Sequence, residues 1–469
     1  MISLTLNQVA EAIDGHLVGG SNGDLLVSGS VETDSRLVGS GSLFFAKRGE
    51  ITDGHNFVSS AAELGAVAAV VENHVTSVDL PQILVSDTVK ALGLLAKYVL
   101  AEVRKASALK VVAITGSNGK TTTKNMLRAI LSSAGPTVAP IESYNNEVGA
   151  PISVLKIDHE TRFLVAELGA GGPGSIAYLT DIVQPDIAVE LKVGMAHAGE
   201  FGGIEVTASI KAELLAGVGP DSVAVLNLDD PYVRHMSHLA KGKTLWFGTN
   251  PEASFWSDNY GLSLDGTSFD LHWPDHSVST VTLRILGEHH VMNALASAAV
   301  AFELGISKEA IVAALESLPL AERWRMQLTN TDEGIAVIND AYNASPDSTK
   351  AALQTLAQLG RLTGRRTVAI LGEMAELGVF AVAEHDAIGR LAVRLNIDLT
   401  IAVGAKAKLI YMGATQEGSY DGESQFFESL DGALEGIRGM LRSGDIVLVK
   451  SSKSANLRFL GDELLEVNA

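Results

Sequence analysis

The sequence predicts an α/β protein of three domains, and three observations support that prediction. The chain has 469 residues, more than one hydrophobic core usually organises. From residue 110 onward, short apolar strands alternate with amphipathic helical segments, a pattern typical of right-handed βαβ units on a mostly parallel sheet. Residues before 108 instead mix short β-branched runs, turns and an alanine-rich stretch. We therefore expect a small α+β domain followed by two α/β domains, the last of them Rossmann-like.

The expected domains span residues 1–107, 108–322 and 323–469, although no Pro/Gly-rich linker marks either join. Their strands are predicted from apolar runs of strand length bounded by polar or turn residues. After the strand that begins at Lys110, these runs are FLVAEL (163–168), IAVEL (187–191), VAVLNL (223–228), IAVIND (335–340), TVAIL (367–371), LTIAV (399–403) and IVLVK (446–450).

Composition excludes several classes of function. The formal net charge is -20 and the pI near 5.0, which argues against binding nucleic acid or an anionic membrane through a broad charged face. The absence of cysteine excludes disulfides, thiolate metal sites and a thiol nucleophile. No apolar run approaches membrane-spanning length, and the first residues lack the basic start and apolar core of a signal peptide. We expect no membrane insertion.

Residues 110–131, KVVAITGSNGKTTTKNMLRAIL, carry the most specific motif. A strand, a glycine-rich turn and a helix follow one another, and Lys120 is placed to pair with β- and γ-phosphates while Thr121 can offer its hydroxyl to Mg²⁺. The general phosphate-loop pattern has glycine at position 114, where this chain has Ile114. A solvent-facing βα turn is the alternative, and the Lys-Thr pair disfavours it. The expected nucleotide contacts are Thr115, Gly116, Ser117, Asn118, Gly119, Lys120, Thr121 and Thr122.

TGSNGKTTTK resembles the phosphate loop of the Mur ligases, the ATP-dependent amide-forming enzymes of bacterial cell-wall synthesis; folylpolyglutamate synthase is a relative. The resemblance covers nearly the whole chain. Its other segments are DSR (34–36), LFFAKRGEITDGHNF (43–57), NNEVGAP (145–151), AELGA (166–170), MAHAGEFGG (195–203), LNLDDP (226–231), GEHHVMNALA (287–296), NDAYNASPDS (339–348) and LGEMAELG (371–378). Tyr342-Asn343 with GEMAELG most resembles the member that adds the terminal dipeptide, and no DNPR-like segment of the lysine- or diaminopimelate-adding member is present.

The resemblance implies a uridine-nucleotide domain, a central phosphate-loop ATPase domain and a third domain that contacts the amine and ATP. The implied reaction joins UDP-MurNAc-tripeptide to D-Ala-D-Ala through an acyl phosphate, with ATP converted to ADP and phosphate. A cytoplasmic monomer that uses Mg²⁺, two ions in this family, is expected. The third residue of the tripeptide, lysine or diaminopimelate, stays open.

For the metal, the resemblance implies Thr121, Glu167, His197 and Lys211. Glu167 ends a strongly apolar strand, where a lone carboxylate is costly unless it meets a cation. Lys211 aligns with a lysine that the family carbamylates, which converts an ammonium into an anion suited to a metal site. An exposed helix lysine paired with Glu213 or Glu205 is the alternative.

In the third domain, Arg325 and Asp340 resemble the pair that reaches ATP, and with Lys120 and Lys211 they are the expected catalytic residues. The family's G-R-x-E is here WRMQ (324–327), so Arg323 competes with Arg325 for this role. KSSKS (450–454) stands where a KGSR-like motif is expected. Lysine does not reproduce a bidentate guanidinium, so an exposed lysine pair is the alternative.

The expected substrate contacts are spread over all three domains, and Asn293 is expected near the adenine unless it is a helix cap. The substrate contacts are Ser35, Arg36, Lys47, Asn145, Asn146, Tyr342, Asn343, Lys450 and Lys453. The alternative for the two asparagines is a role in forming turns, and the alternative for Arg36 is a surface ion pair with a nearby acid. Asp53 and His55 are expected to organise their loop.

Two rivals remain within the enzyme class, another Mur ligase and a folylpolyglutamate synthase-like ligase, which normally lacks the DSR-type first domain. From a different class, a nucleotide-binding switch or scaffold is possible. The chain lacks an evident N-K-x-D guanine-reading motif, and a switch has no need of a uridine-type domain.

Overall fold

The computed structural model describes residues 1–18, 22–49, 51–140, 143–196, 198–318, 323–419 and 422–465. Four sheets occur in this part of the chain: a two-stranded and a five-stranded sheet in the N-terminal part, then sheets of nine and six strands. Within the described residues, no helix combines the length and apolarity that crossing a bilayer requires.

The N-terminal part contains short strands and three helices. They are β1 (Leu4–Thr5), α1 (Leu6–Ala12), β2 (His16–Val18), β3 (Leu26–Val27), β4 (Val31–Glu32), β5 (Ser42–Phe45), α2 (Val58–Glu63), β6 (Ala66–Val71), β7 (Gln82–Leu84) and α3 (Thr88–Ala106). The larger sheet has the order β2-β7-β6-β5-β4, and only its β2–β7 pair is antiparallel. Asp87 caps α3 by accepting hydrogen bonds from the backbone N–H groups of Val89 and Lys90. The apolar face of α3 packs on the two helices at 149–154 and 175–183 of the next part, which fixes the two parts together.

The central part contains the largest sheet. Its elements are β8 (Lys110–Thr115), α4 (Lys120–Ser132), β9 (Thr137–Val138), α5 (Gly149–Val154), β10 (Phe163–Glu167), α6 (Ser175–Val183), β11 (Ile187–Glu190), α7 (Ala198–Phe201), α8 (Ile204–Gly217), β12 (Val223–Asn227), α9 (Pro231–Met236), β13 (Lys243–Gly248), β14 (Phe255–Ser263), β15 (Gly266–His272), β16 (Val278–Leu283), α10 (His289–Glu303) and α11 (Lys308–Ser317). The order is β16-β15-β14-β13-β12-β11-β8-β10-β9. Strands β8 to β13 are parallel, as the alternating pattern predicts, and β14 continues parallel to β13. The pairs β14–β15 and β15–β16 are antiparallel and extend the sheet at this edge.

The third part is a six-stranded sheet covered by helices. Its elements are β17 (Gln327–Asn330), β18 (Ala336–Asn339), α12 (Pro346–Thr363), β19 (Thr367–Leu371), α13 (Ala381–Arg394), β20 (Leu399–Val403), α14 (Lys408–Glu417), β21 (Ser424–Phe427), α15 (Ala433–Met440), β22 (Ile446–Lys450) and α16 (Leu457–Glu463). The order is β17-β18-β22-β19-β20-β21, and only β17 is antiparallel to its neighbour. The predicted α/β architecture and its Rossmann-like third part are confirmed.

The carboxyl ends of parallel strands set the position of the site. Glu167 ends β10 opposite Ile114, and Glu190 ends β11 opposite Thr115, so both acids lie beside the phosphate loop. Asp340 and Lys450 stand at the ends of the neighbouring strands β18 and β22. Ligands of open α/β sheets bind at this edge, and here two such edges face each other.

Candidate active site

The turn between β8 and α4 has the geometry of a phosphate loop. Lys120 is the first residue of α4, and its Nζ donates a hydrogen bond to the Gly116 carbonyl at 2.8 Å. Burial lowers the pKa of Lys120, while the nearby Glu167 carboxylate acts in the opposite direction. An ammonium folded back on its own loop at the start of a helix is well placed to meet a phosphate.

Gly119 allows the loop to approach α10 closely. Its φ of +89° lies in the left-handed region, and a Cβ at this position would collide with the Asn293 side-chain oxygen. Asn293 is 6% exposed and lies inside α10, so it does not cap that helix. The structure thus places Asn293 against the phosphate loop, and its expected position near the adenine stays a prediction.

Glu167 is a buried carboxylate with one oxygen still available. Its Oε1 accepts a hydrogen bond from Asn145 Nδ2 at 2.8 Å, whereas Oε2 has no partner among the described residues. Glu167 is 1% exposed, so an unpaired oxygen on its carboxylate carries a cost in desolvation free energy. A bound cation would offset that cost. The residues here therefore fit a metal ion.

Only some of the expected metal ligands can be located. No cluster of three His, Cys, Asp or Glu side chains suited to a metal occurs in the described part of the chain. Glu167 and the Thr121 hydroxyl lie at one cleft. His197 lies outside the described residues.

Lys211 is buried in α8 rather than exposed. It is 3% exposed, so the alternative of a surface lysine paired with an acid is wrong. Burial lowers the pKa of Lys211 to about 7, with repulsion from Lys120 acting in the same direction and Glu190 opposing it. Lys211, Lys120 and Asn145 line a cavity of about 240 Å³ behind the phosphate loop. The lowered pKa increases the fraction of neutral amine, which is the form that attacks CO₂.

Glu190 is a residue that the sequence reasoning missed. It is fully buried, and neither carboxylate oxygen has a hydrogen-bond partner among the described residues. Burial raises the pKa of Glu190 well above its usual range, and the nearby Lys211 opposes that rise. The signal was the same as for Glu167, an acid at the end of an apolar strand.

The third domain places Arg325, not Arg323, at the phosphate loop. Arg325 Nη2 lies 3.3 Å from Thr121 Oγ1 and 3.4 Å from Ser143 Oγ, and its guanidinium stacks 4.1 Å from the centre of the Tyr342 ring. The Arg323 side chain is 67% exposed and pairs with Asp462 at 2.8 Å. Of these two arginines, Arg325 is therefore the one that faces the phosphate loop.

Asp340 and Lys450 form a buried ion pair. Lys450 Nζ lies 2.6 Å from Asp340 Oδ2 and donates to the Asn343 carbonyl at 3.1 Å, and its side chain is 2% exposed. Asp340 Oδ1 accepts the Met326 N–H at 3.0 Å. The Lys450 ammonium is therefore engaged in holding Asp340, and the alternative of an exposed lysine pair is wrong for Lys450. Lys453 Nζ is 5.7 Å from the Tyr342 ring centre.

The two sheet edges enclose a cleft of about 250 Å³. Its walls come from the phosphate loop, from α10 and from the third domain. Predicted residues in the walls are Ser117, Asn118, Gly119, Lys120, Thr121, Thr122, Asn145, Glu167, Asn293, Arg325, Asp340, Tyr342, Asn343 and Lys450, and unpredicted ones include Ser143, His289, His290 and Ser345. A second cavity of about 170 Å³ continues between Asn293 and α12.

The first-domain residues do not line this cleft. The Arg36 side chain is 85% exposed and pairs with Asp34 at 2.6 Å, and Ser35 begins the short 3-10 turn that contains both Ser35 and Arg36. Asp53 Oδ1 accepts the His55 N–H at 3.0 Å and contacts its Nδ1 at 2.6 Å, which organises that loop. Lys47 lies just before this loop and is partly buried.

Asn146, beside Asn145, has a local role. Its Oδ1 accepts the Gly149 N–H at 2.8 Å, so it supports the start of α5, and it also lines the cavity behind the phosphate loop.

Comparison with known proteins identifies the family. A protein of Mycobacterium tuberculosis described as UDP-N-acetylmuramoyl-tripeptide–D-alanyl-D-alanine ligase is 40% identical to this chain, over 99% of this chain and 98% of that protein. The chain belongs to the Mur ligase family. Three family models of Mur ligases match it in order, the Mur ligase family catalytic domain at 29–99, the Mur ligase middle domain at 114–301 and the Mur ligase glutamate ligase domain at 324–453.

Solved Mur ligase structures share the fold of the whole chain. A crystal structure of MurF from Acinetobacter baumannii has a TM-score of 0.90 and 33% identity, with 99% of each chain covered. The MurF ligase of Thermotoga maritima, solved in complex with ADP, has a TM-score of 0.81 and 26% identity, covering 94% of this chain and 97% of that one. A three-domain α/β ligase fold is thus the setting of the cleft.

Proposed function

We propose that this Mur ligase forms the amide bond between UDP-MurNAc-tripeptide and D-Ala-D-Ala, with ATP converted to ADP and phosphate, in the synthesis of peptidoglycan precursors. The observation that carries the proposal is the meeting of Arg325 with Thr121 across one cleft. A phosphate-loop residue and a third-domain cation thereby face the same space. The relatives that match the full length of the chain support the choice of substrates.

The reaction begins with transfer of the γ-phosphoryl group. The terminal carboxylate of the tripeptide forms a bond to the γ-phosphorus, and the bond from that phosphorus to the ADP oxygen breaks. Lys120 of the phosphate loop and Arg325 of the third domain line the same cleft, where they offset the charge that gathers on the transferred oxygens. The adenine extends toward Asn293 and the cavity of about 170 Å³ beside it.

The acyl phosphate then reacts with the dipeptide amine. The amine nitrogen forms a bond to the acyl carbon, the tetrahedral intermediate loses phosphate, and one amine proton is released. Tyr342 and Asn343 line the third-domain side of the cleft, and Lys453 Nζ lies 5.7 Å from the Tyr342 ring centre; these three residues hold the dipeptide. Holding both reactants in line is the main contribution of the protein. Asp340, fixed by Lys450, stays available at its end of the cleft for the ribose of ATP or for water bound to the metal.

Magnesium would be held by the Thr121 hydroxyl and the unpaired Glu167 oxygen, with His197 expected from the sequence and Lys211 contributing as a carbamate. When bound, it supplies positive charge that neutralises phosphate oxygens. The cavity behind the phosphate loop takes the acyl end of the nucleotide substrate, with Asn145 and Asn146 in its wall. In this proposal, Ser35, Arg36 and Lys47 bind the uridine end of the nucleotide substrate. The three domains span residues 1–107, 108–322 and 323–469. The enzyme acts as a monomer in the cytoplasm.

ADP release measured with each substrate alone and with both together tests the proposal. We expect release above background only when UDP-MurNAc-tripeptide and D-Ala-D-Ala are both present, with one new amide product by mass spectrometry. Turnover with a single amino acid in place of the dipeptide would assign the chain to another branch of the family. Nucleotide binding without a product would favour the switch or scaffold.

A further inference from the structure

Asp347 lies in the first turn of α12, yet its own helix does not need its carboxylate. Ser345 caps the helix by accepting the Ser348 N–H at 3.3 Å, and Ser348 Oγ accepts the Ser345 N–H at 2.9 Å. An acidic side chain in the first turn stabilises a helix through the helix dipole, and this effect requires no hydrogen-bond partner. The partner of Asp347 therefore has to be explained separately.

That partner is in the central domain. Asp347 Oδ2 accepts a hydrogen bond from the Met195 backbone N–H at 3.0 Å, and the Asp347 side chain is 26% exposed. A carboxylate that accepts a backbone N–H makes a charge-assisted bond, stronger than a neutral one. Gly194 permits this approach, because a Cβ there would collide with the Asp347 carboxylate. Lys192 Nζ, 3.9 Å from Oδ1, adds weak attraction.

The segment from Lys192 to Met195 is bonded on its other side to the phosphate loop. Ser117 N–H donates to the Lys192 carbonyl at 2.7 Å, and the Gly194 N–H donates to Ser117 Oγ at 2.8 Å. Ser117 Oγ in turn lies 3.2 Å from the Gly194 carbonyl. The start of α12 also touches the loop directly, since Ser345 Oγ lies 3.2 Å from Asn118 Oδ1. A continuous set of hydrogen bonds thus runs from Asp347 to the loop that receives the phosphates.

We propose that Asp347 is a positioning residue that couples closure of the third domain to the phosphate loop. In the closed arrangement its carboxylate captures the Met195 N–H and holds residues 192–195 against Ser117. When the third domain moves away, this bond breaks and the segment keeps only its bonds to Ser117. The inference rests on the proposed function for its role in ligation, whereas its effect on nucleotide binding and closure does not.

The test compares Asp347→Ala and Asp347→Asn with a matched control, Glu309→Gln. Glu309 is likewise an acid in the first turn of a helix, α11, but it is exposed. Binding of a non-hydrolysable ATP analogue is measured by calorimetry, and compaction by the radius of gyration from X-ray scattering, with and without the analogue. The melting temperature of each ligand-free variant shows whether the protein remains folded.

For Asp347→Ala we expect affinity for the analogue to fall about tenfold, the effect of one lost charge-assisted bond, and compaction to be reduced. Asp347→Asn keeps an acceptor for the Met195 N–H and is expected to lie between the alanine variant and the unmodified protein. Glu309→Gln should match the unmodified protein. Unchanged affinity and compaction in Asp347→Ala would overturn the inference, as would equal losses in Glu309→Gln. If the alanine variant does not fold, unchanged binding and compaction in Asp347→Asn would overturn it. A protein that closes on the analogue but forms no amide would contradict the proposed function and leave this inference standing.

Discussion

Arg325 of the third domain lies within 3.3 Å of Thr121 in the phosphate loop, 204 residues away in sequence. This contact joins the cation that the third domain provides to the hydroxyl expected to bind the metal. Arg323, two residues earlier, points away toward Asp462 and solvent. The pair of arginines therefore offers a controlled comparison within one short segment.

Arg325→Ala should reduce kcat by about a hundredfold or more, because one preorganised donor to transition-state charge is removed. Arg325→Lys should recover little of this loss, since an ammonium lacks the planar fork and the stacking on Tyr342. Arg323→Ala is the matched control, and its kcat should stay close to that of the unmodified enzyme. Equal losses in the two alanine variants would contradict this assignment.

Lys450→Met should destabilise the protein by about 3–5 kcal/mol, because it leaves the Asp340 carboxylate buried without its cation. Denaturant unfolding measures this change. The double variant Lys450→Met with Asp340→Asn should recover part of the loss, since the uncompensated charge is removed. Lys453→Met, whose ammonium lies 5.7 Å from the Tyr342 ring centre, should have little effect on stability. A Lys450→Met protein as stable as the unmodified one would show that the pair does not hold Asp340.

Lys211→Ala should lose most activity and regain part of it when short-chain carboxylic acids are added, because the added carboxylate replaces the carbamate. Lys211→Arg should be inactive and not rescued, since a guanidinium fills the space and keeps its positive charge. Activity of Lys211→Ala equal to that of the unmodified enzyme would remove the carbamate from the mechanism.

The free energy of unfolding should decrease as the pH falls from about 6.5 to about 4, because two histidines are held neutral in the fold. Burial lowers the pKa of His289 to about 4 and that of His290 well below its usual value. The unfolded chain therefore binds more protons than the folded one in this interval. The contribution of the two neutral histidines to the free energy of unfolding is complete above about pH 6.5 and decreases as the pH falls below it. Each histidine contributes at most about 1.4 kcal/mol per pH unit. His290→Gln should reduce the slope of unfolding free energy against pH, and an unchanged slope would contradict this account.

The sequence allowed the parallel core of both α/β domains to be predicted, because apolar runs such as 163–168 and 446–450 are buried on both faces. The antiparallel extension formed by β14 to β16 could not be predicted in this way. Its strands alternate exposed and buried positions and carry polar side chains on one face, so they lack the continuous apolar signal.

Within the site, the phosphate-loop motif predicted the positions of Lys120 and Thr121, and the family resemblance predicted that of Glu167, because each position is set by a helix start or a strand end close by in sequence. Ser143 and Asp347 were missed, since their partners lie 182 and 152 residues away and only the docking of two domains brings them together. Arg36 lies on the surface with Asp34, as its local sequence already suggested.

Heavy-oxygen labelling shows whether a carboxylate is phosphorylated before the amine attacks. The terminal carboxylate of UDP-MurNAc-tripeptide is labelled in both oxygens, and the released phosphate is analysed by mass spectrometry after ligation to D-Ala-D-Ala. The account predicts one labelled oxygen in each phosphate released, because the carboxylate oxygen that attacks the γ-phosphorus leaves with it. Unlabelled phosphate, accompanied by formation of the amide, would contradict the account.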